Sequence, residues 1–192
     1  IKRLPVVDQE GRLEGLLTRS DILREIAFIA PEDQDSRASF FDWDTRVGEV
    51  ELEPAVTVVL AAPLSEILRH MQENIQARVV VVDGHGEAIG VVSETDLLTR
   101  SEGRGRAAIM DVLHGQADPE RLALAQTAAD VMTQPVLTVT TESRAFDAVR
   151  LLIDNKIKRM PVIDHNGQVA GLVSRRALLN GMLRDPEPPP TI

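Results

Sequence analysis

The sequence predicts an α/β (α+β) fold assembled from repeated strand-helix-strand-strand-helix units, and three observations carry that expectation. One pattern occurs three times, as IKRLPVVDQEGRLEGLLTRSDIL from Ile1, QARVVVVDGHGEAIGVVSETDLL from Gln76 and IKRMPVIDHNGQVAGLVSRRALL from Ile157. The second and third copies match without a gap over a longer range, since Pro54 and Pro135, Thr57 and Thr138, Arg78 and Arg159, and Gly90 and Gly171 are all separated by 81 positions. A constant separation through strands, helices and turns marks duplicated units of one fold. Aromatic residues make up only 3% of the chain, so the cores must be built from Val, Leu, Ile and Ala, which suits small two-layer units.

Each complete unit opens with a short extended piece, Val56 to Val59 or Leu137 to Thr140. A helix follows, Leu64 to Asn74 or Arg144 to Asn155, with Leu64, Ile67, Leu68 and Met71 at the 3.6-residue period. Next comes a hairpin whose strands, Val79 to Val82 or Met160 to Ile163 and those through Gly90 or Gly171, are joined by Asp-Gly-His-Gly or Asp-His-Asn-Gly turns. Ser93 or Ser174 then caps a second helix. The first copy has only the hairpin and second helix, so the sequence starts inside a unit. The segments expected are 1–29 (half unit), 30–46 (linker), 47–102 (unit), 103–118 (linker), 119–184 (unit) and 185–192 (disordered tail). A leading helix is expected over Pro119 to Ala129, with Asp118 as its cap.

The net charge of −9 opposes a nucleic-acid partner, because phosphate backbones are held by clustered Lys and Arg. The longest apolar runs, such as Val79 to Val82, fall far short of the ~20 residues of a membrane span. The lack of cysteine excludes disulfides and thiolate metal sites and agrees with a cytoplasmic location. His70, His85, His114 and His165 are scattered, which gives no metal-ligand spacing.

Val-Met-Thr-x-Pro-Val (Val131 to Val136), Ile-Lys-Arg-Met-Pro-Val-Ile-Asp (Ile157 to Asp164) and Gly-Val-Val-Ser-x-Thr-Asp (Gly90 to Asp96), in repeated order, resemble the cystathionine β-synthase (CBS) domain family. The resemblance implies that two units pair into a Bateman module. It also implies clefts for an adenine nucleotide, AMP, ADP or ATP, with S-adenosylmethionine ranked behind these, and no chemistry on the ligand.

The candidate binding residues follow from residue chemistry and from that resemblance. Asp96 in Ser-x-Thr-Asp, with Thr95, and Asp21 in Thr-x-Ser-Asp, with Ser20, stand at helix starts. There a carboxylate can accept from both ribose hydroxyls or can serve only as the third-position acid of a capping box. The third copy has Ala177 at this position and keeps Ser174. The basic residues before each hairpin, Lys2 and Arg3, Arg78, and Lys158 and Arg159, suit phosphate or are solvated strand ends. Carried over from the family, the cleft pairs Thr95 and Asp96 with Met132, Pro135 and Leu137 beside Ile157 for adenine, and Lys158 and Arg159 for phosphate. The reciprocal cleft has Ala177, Glu51 and Ala77 instead. Phe40, Phe41 and Trp43 read as a cluster packed on the core or as a partner contact. The expected function is a non-catalytic, nucleotide-sensing regulatory module. The alternatives are a ligand-free structural dimerisation module and the regulatory region of a larger enzyme or transporter. The second and third units are expected to form one module and the half unit to pair with a missing upstream unit or with another chain, because Leu4, Val6 and Leu16 would otherwise leave an apolar strand face uncovered. A homodimer is expected because the family's helices pack in pairs and the half unit adds surface to cover.

Overall fold

The structure, a computed structural model, describes residues 3–28, 41–73, 78–100, 104–122 and 125–183. Lys2, Phe40, Asn74, Ala77 and the tail lie outside these residues, as does most of the first expected linker. The elements in chain order are β1 (Arg3–Val7), β2 (Leu13–Thr18), α1 (Arg19–Ala27), β3 (Thr57–Val59), α2 (Leu64–Glu73), β4 (Arg78–Val82) and β5 (Ala88–Ser93). They continue with α3 (Glu94–Arg100), α4 (Arg104–Leu113), α5 (Ala128–Val131), β6 (Val139–Thr140), α6 (Ala145–Asp154), β7 (Arg159–Ile163), β8 (Val169–Ser174) and α7 (Arg175–Met182). Short 3₁₀ turns occupy Val47–Glu49 and Pro119–Arg121.

Three sheets carry the repeat. β1 and β2 form a two-stranded hairpin, and the other two sheets have the orders β3-β4-β5 and β6-β7-β8. β3 runs parallel to β4, pairing Thr57 with Val80 and Val59 with Val82, whereas β4 and β5 are antiparallel. A parallel pair needs a crossover, and α2 supplies it. Each hairpin turns on an Asp-x-x-Gly sequence. The Oδ1 of Asp8 accepts from the amides of Glu10 and Arg12, that of Asp83 from His85 and Glu87, and that of Asp164 from Asn166 and Gln168. The closing glycines, Gly11, Gly86 and Gly167, all have φ near +80° (80, 83 and 82), a conformation that a Cβ disfavours.

The chain divides into two compact units. Unit 1 comprises Ile1–Glu53, Val139–Val162 and Leu172–Ile192, and unit 2 comprises Pro54–Thr138 and Ile163–Gly171. In unit 2, Ile67 and Leu68 of α2, Val79 and Val81 of β4, and Leu97 of α3 are buried together. In unit 1, Phe146, Val149 and Leu152 of α6 pack with Met160, Val162, Val173 and Leu178. α1, from the first copy, packs against α6 and α7. The residues just before each complete repeat's first strand pair outside their own repeat: Glu53 bridges Leu172, and Thr133 bridges Val91.

Two expectations change at this level, and one left open is decided. The helix expected over Pro119 to Ala129 is instead two short pieces. Asp118 does cap the first, accepting from the Glu120 amide at 3.0 Å, but Leu122 is already extended and a Thr127–Asp130 capping box starts α5 afresh. The second expected linker, 103–118, contains α4, which buries Ile109 and Val112 and packs on α2 and α3. Gly105 near its start and its polar face disguised two core positions three residues apart. Trp43 is a core residue, with its ring edge-on to Phe146 at 5.4 Å and 5.6 Å from Phe41.

The turn and cap carboxylates make stability depend on acid. Backbone amides of His85, Thr127 and Gln168 are the largest causes holding Asp83, Asp130 and Asp164, respectively, below the ordinary value of 3.8, and the Thr18 hydroxyl does the same for Asp21. A carboxyl whose folded value is lowered contributes stability that is fully present above its unfolded value and is lost as pH falls through the folded one. Urea midpoints measured between about pH 7 and pH 2.5 should therefore be flat down to about pH 5 and fall steeply below about pH 4. A midpoint still unchanged at the acid end would contradict this assignment.

Candidate functional site

The candidate residues of unit 2 converge on the start of α3. Ser93 caps that helix, with its Oγ accepting from the Asp96 amide at 3.3 Å, while Asp96 Oδ2 accepts from the Ser93 amide at 2.8 Å and from its hydroxyl. This is a capping box. The same geometry recurs in the first copy, where Asp21 Oδ2 accepts from the Thr18 amide and hydroxyl at 2.8 and 2.6 Å. In the third copy Ser174 Oγ accepts from the Ala177 amide at 3.3 Å without an acid.

The second oxygen of Asp96 is also occupied. Thr133 Oγ1 donates to Asp96 Oδ1 at 2.7 Å, and Arg100 Nη2 donates to that hydroxyl at 3.1 Å. Arg100 Nη1 donates to the Val131 carbonyl at 3.3 Å and to that of Met132. Thr133 also exchanges two backbone hydrogen bonds with Val91, of 2.8 and 3.1 Å. One turn of α3, from Asp96 to Arg100, thus grips the Val-Met-Thr segment. Met132 is buried against Gly90, where an added Cβ would collide with its sulfur. Thr95 and Pro135 are exposed, Pro135 following a cis peptide bond, and Leu137 is 40% exposed. Asp96 is half-buried. Each carboxylate oxygen has two acceptor sites, so Asp96 Oδ1 retains capacity beside Thr133.

The remaining candidates belong to unit 1. Lys158 is exposed and Arg159 half-buried. Arg159 Nε donates to Glu53 Oε2 at 2.6 Å in an ion pair whose side chains are 40% and 28% exposed. Ile157 packs partly buried on the unit 1 core. Its carbonyl accepts from Arg175 Nε at 2.9 Å, and the same guanidinium donates to the Leu152 carbonyl at 3.0 Å and to Ser20 Oγ at 3.3 Å. Burial first, and then the charge of Arg24, lowers the pKa of Arg175. Asp21 pairs with Arg24 at 3.4 Å. Ser20 is thereby tied to the third copy through Arg175.

Sequence reasoning missed Thr133, Arg100, Glu53 and Arg175. The only available signal was that Thr133 lies inside Val-Met-Thr-x-Pro-Val. The contacts of Thr133 and Glu53 span 37 and 106 residues, respectively. Among the described residues, no three His, Cys, Asp or Glu side chains are grouped to hold a metal. No helix among them is long and apolar enough to cross a membrane.

A model of the CBS domain matches residues 1–28, 47–103 and 128–184. An uncharacterised protein of Methanopyrus kandleri is 31% identical over 133 residues, covering 69% of this chain and 60% of that protein. The chain spans smaller shares, 17% and 37%, of two further curated relatives. Among solved structures, an uncharacterised conserved protein from Pyrococcus horikoshii superposes with a TM-score of 0.64 at 23% identity, covering 93% of this chain and 68% of that one. CBSX2, solved in complex with AMP, gives 0.53 at 24% identity, covering 70% and 93%.

The Thr133 link has a measurable value. Thr133→Val keeps the backbone bridge to Val91 and removes the hydroxyl between Asp96 and Arg100. It should lower the unfolding free energy by about 1–2 kcal/mol, between the usual net value of a hydrogen bond and that of one to a charged group, since Thr133 is exposed. A urea melt indistinguishable from the unsubstituted protein would show that the grip contributes nothing.

Proposed function

The chain belongs to the CBS domain family, and from that premise we propose that it is a non-catalytic regulatory module that senses an adenine nucleotide, AMP, ADP or ATP. The observation that carries this reading is the difference between the copies at one helix position. Asp96 sits half-buried at the start of α3 with acceptor capacity left on Oδ1, whereas the same position in the third copy is an alanine that leaves the cap intact. An acid that the fold does without in one copy is available for another task in the other. The AMP complex of CBSX2 supports the ligand class.

In this reading Asp96, with Thr95, takes the ribose hydroxyls, while Met132, Pro135, Leu137 and Ile157 supply apolar surface for adenine. Lys158 and Arg159 take phosphate, and Ser20 and Asp21 are held in reserve for the first copy's unpaired position. Occupancy then acts by favouring one arrangement of the chain over another. The module works in the cytoplasm, as a homodimer that covers the apolar residues of the first hairpin, where Leu4, Val6 and Leu16 are 49%, 43% and 54% exposed. A second reading, a structural module with no ligand, draws on the internal pairing of both Asp96 and Arg159.

Calorimetry with adenosine, AMP, ADP, ATP and S-adenosylmethionine separates the two readings. Asp96→Asn preserves an acceptor for the Ser93 amide and removes the charge, so it is a better probe than alanine, which would also strip the capping box. Binding of the preferred nucleotide should weaken by about 1–3 kcal/mol with little change in the melting temperature. Undiminished affinity would remove Asp96 from the site, and an absence of heat with every ligand would favour the structural reading. Sedimentation at micromolar concentration should report a dimer, and a monomer there would reject the homodimer.

A further inference from the structure

In unit 1 the residue that makes the backbone bridge is itself charged. Glu53 exchanges two backbone hydrogen bonds with Leu172, both 2.8 Å, which fixes its main chain, and its Oε2 takes the Nε of Arg159 at 2.6 Å. The matching bridge in unit 2 joins Val91, the counterpart of Leu172, to Thr133, while in sequence Glu53 falls opposite Gln134. Both counterparts are neutral, so the bridge does not require a carboxylate. Both side chains are partly exposed, 40% and 28%, and ion pairs that water reaches add little to stability. Neither folding geometry nor stability accounts for the charge at this position.

Carboxylate and phosphate oxygens compete for the same guanidinium donors. We propose that Glu53 is a specificity-determining residue, an internal anion on Arg159 that penalises an incoming nucleotide in proportion to its phosphate charge. This rests on the reading that Arg159 meets phosphate. With Glu53 in place the pair is neutral, and an arriving phosphate meets repulsion from the carboxylate together with attraction from the guanidinium. Removing the carboxylate removes that repulsion, while the attraction of Arg159 and Lys158 stays. Glu53 thereby favours ligands with few phosphates and leaves the nucleoside untouched, because adenosine carries no charge for it to repel.

The test is calorimetry of adenosine, AMP and ATP on the unsubstituted chain and on Glu53→Gln, which keeps the side chain's length and an acceptor oxygen. Glu53→Thr, which copies the bridge residue of unit 2, is the second variant should the first not fold. Either variant should tighten ATP roughly tenfold and AMP by a smaller factor, with adenosine changed by less than about twofold, since each tenfold step is 1.4 kcal/mol. Equal shifts for all three ligands, or none, would overturn the role of Glu53. Arg159→Ala separates that failure from failure of the underlying reading. If it selectively weakens ATP while the Glu53 variants change nothing, Arg159 stands and Glu53 falls. If it leaves ATP unaffected, or if no ligand binds any variant, both fall.

Discussion

A sheet of two or three strands gains its stability from an apolar face kept dry, and here helices supply that cover. Every other feature of the chain is arranged around that requirement. Val79 and Val81 of β4 are at most 1% exposed and share a core with Ile67, Leu68 and Leu97, and that cover is aliphatic because the chain has five aromatic residues in all. Narrow sheets also leave strand edges to be occupied. The edge of β5 receives Thr133 and that of β8 receives Glu53, each from the segment that precedes a different repeat. The first hairpin shows the same strands without such cover: Val6 and Val7, the counterparts of Val81 and Val82, are 43% and 52% exposed.

The edge-covering residues have a second consequence. Thr133 extends its side chain to Asp96, and Glu53 extends its side chain to Arg159. A ribose hydroxyl resembles the threonine hydroxyl, and a phosphate oxygen resembles the glutamate oxygen. Asp96 and Arg159 thus each have a partner inside the chain that resembles the ligand group proposed for them, which avoids leaving a partly buried charge without a partner. In the proposed reading a ligand would share or exchange these partners, and its net binding free energy would be a difference between similar terms. That difference is small enough for modest changes in ligand charge to decide it.

The fold was legible where local chemistry decides it. The Asp-x-x-Gly turns, the Ser93 and Ser174 caps and the apolar face of α2 all follow from residues a few positions apart, and the 81-residue separation extends them to whole units. α4 was not legible, because only Ile109 and Val112 mark its buried face. The helix over Pro119 to Ala129 was read as continuous because the Thr127–Asp130 box that starts α5 looks, in sequence, like ordinary helical residues. The charged residues of the candidate site, Asp96 and Arg159, are legible in the sequence, but their internal partners are not. Thr133 and Glu53 reach them through strand-edge contacts that no local pattern encodes, and Arg100, four residues from Asp96 on α3, acts through Thr133.

Under the proposed function Asp96 accepts from a ribose hydroxyl, either beside the Thr133 hydroxyl or in its place. A crystal structure of the chain grown with AMP tests it most directly. The account requires a ribose hydroxyl within hydrogen-bonding distance of Asp96, with the Thr133 hydroxyl moved away from Oδ1 or sharing it. A nucleotide seated beside Ala177, or Asp96 and Thr133 still paired with no ribose near them, would contradict it.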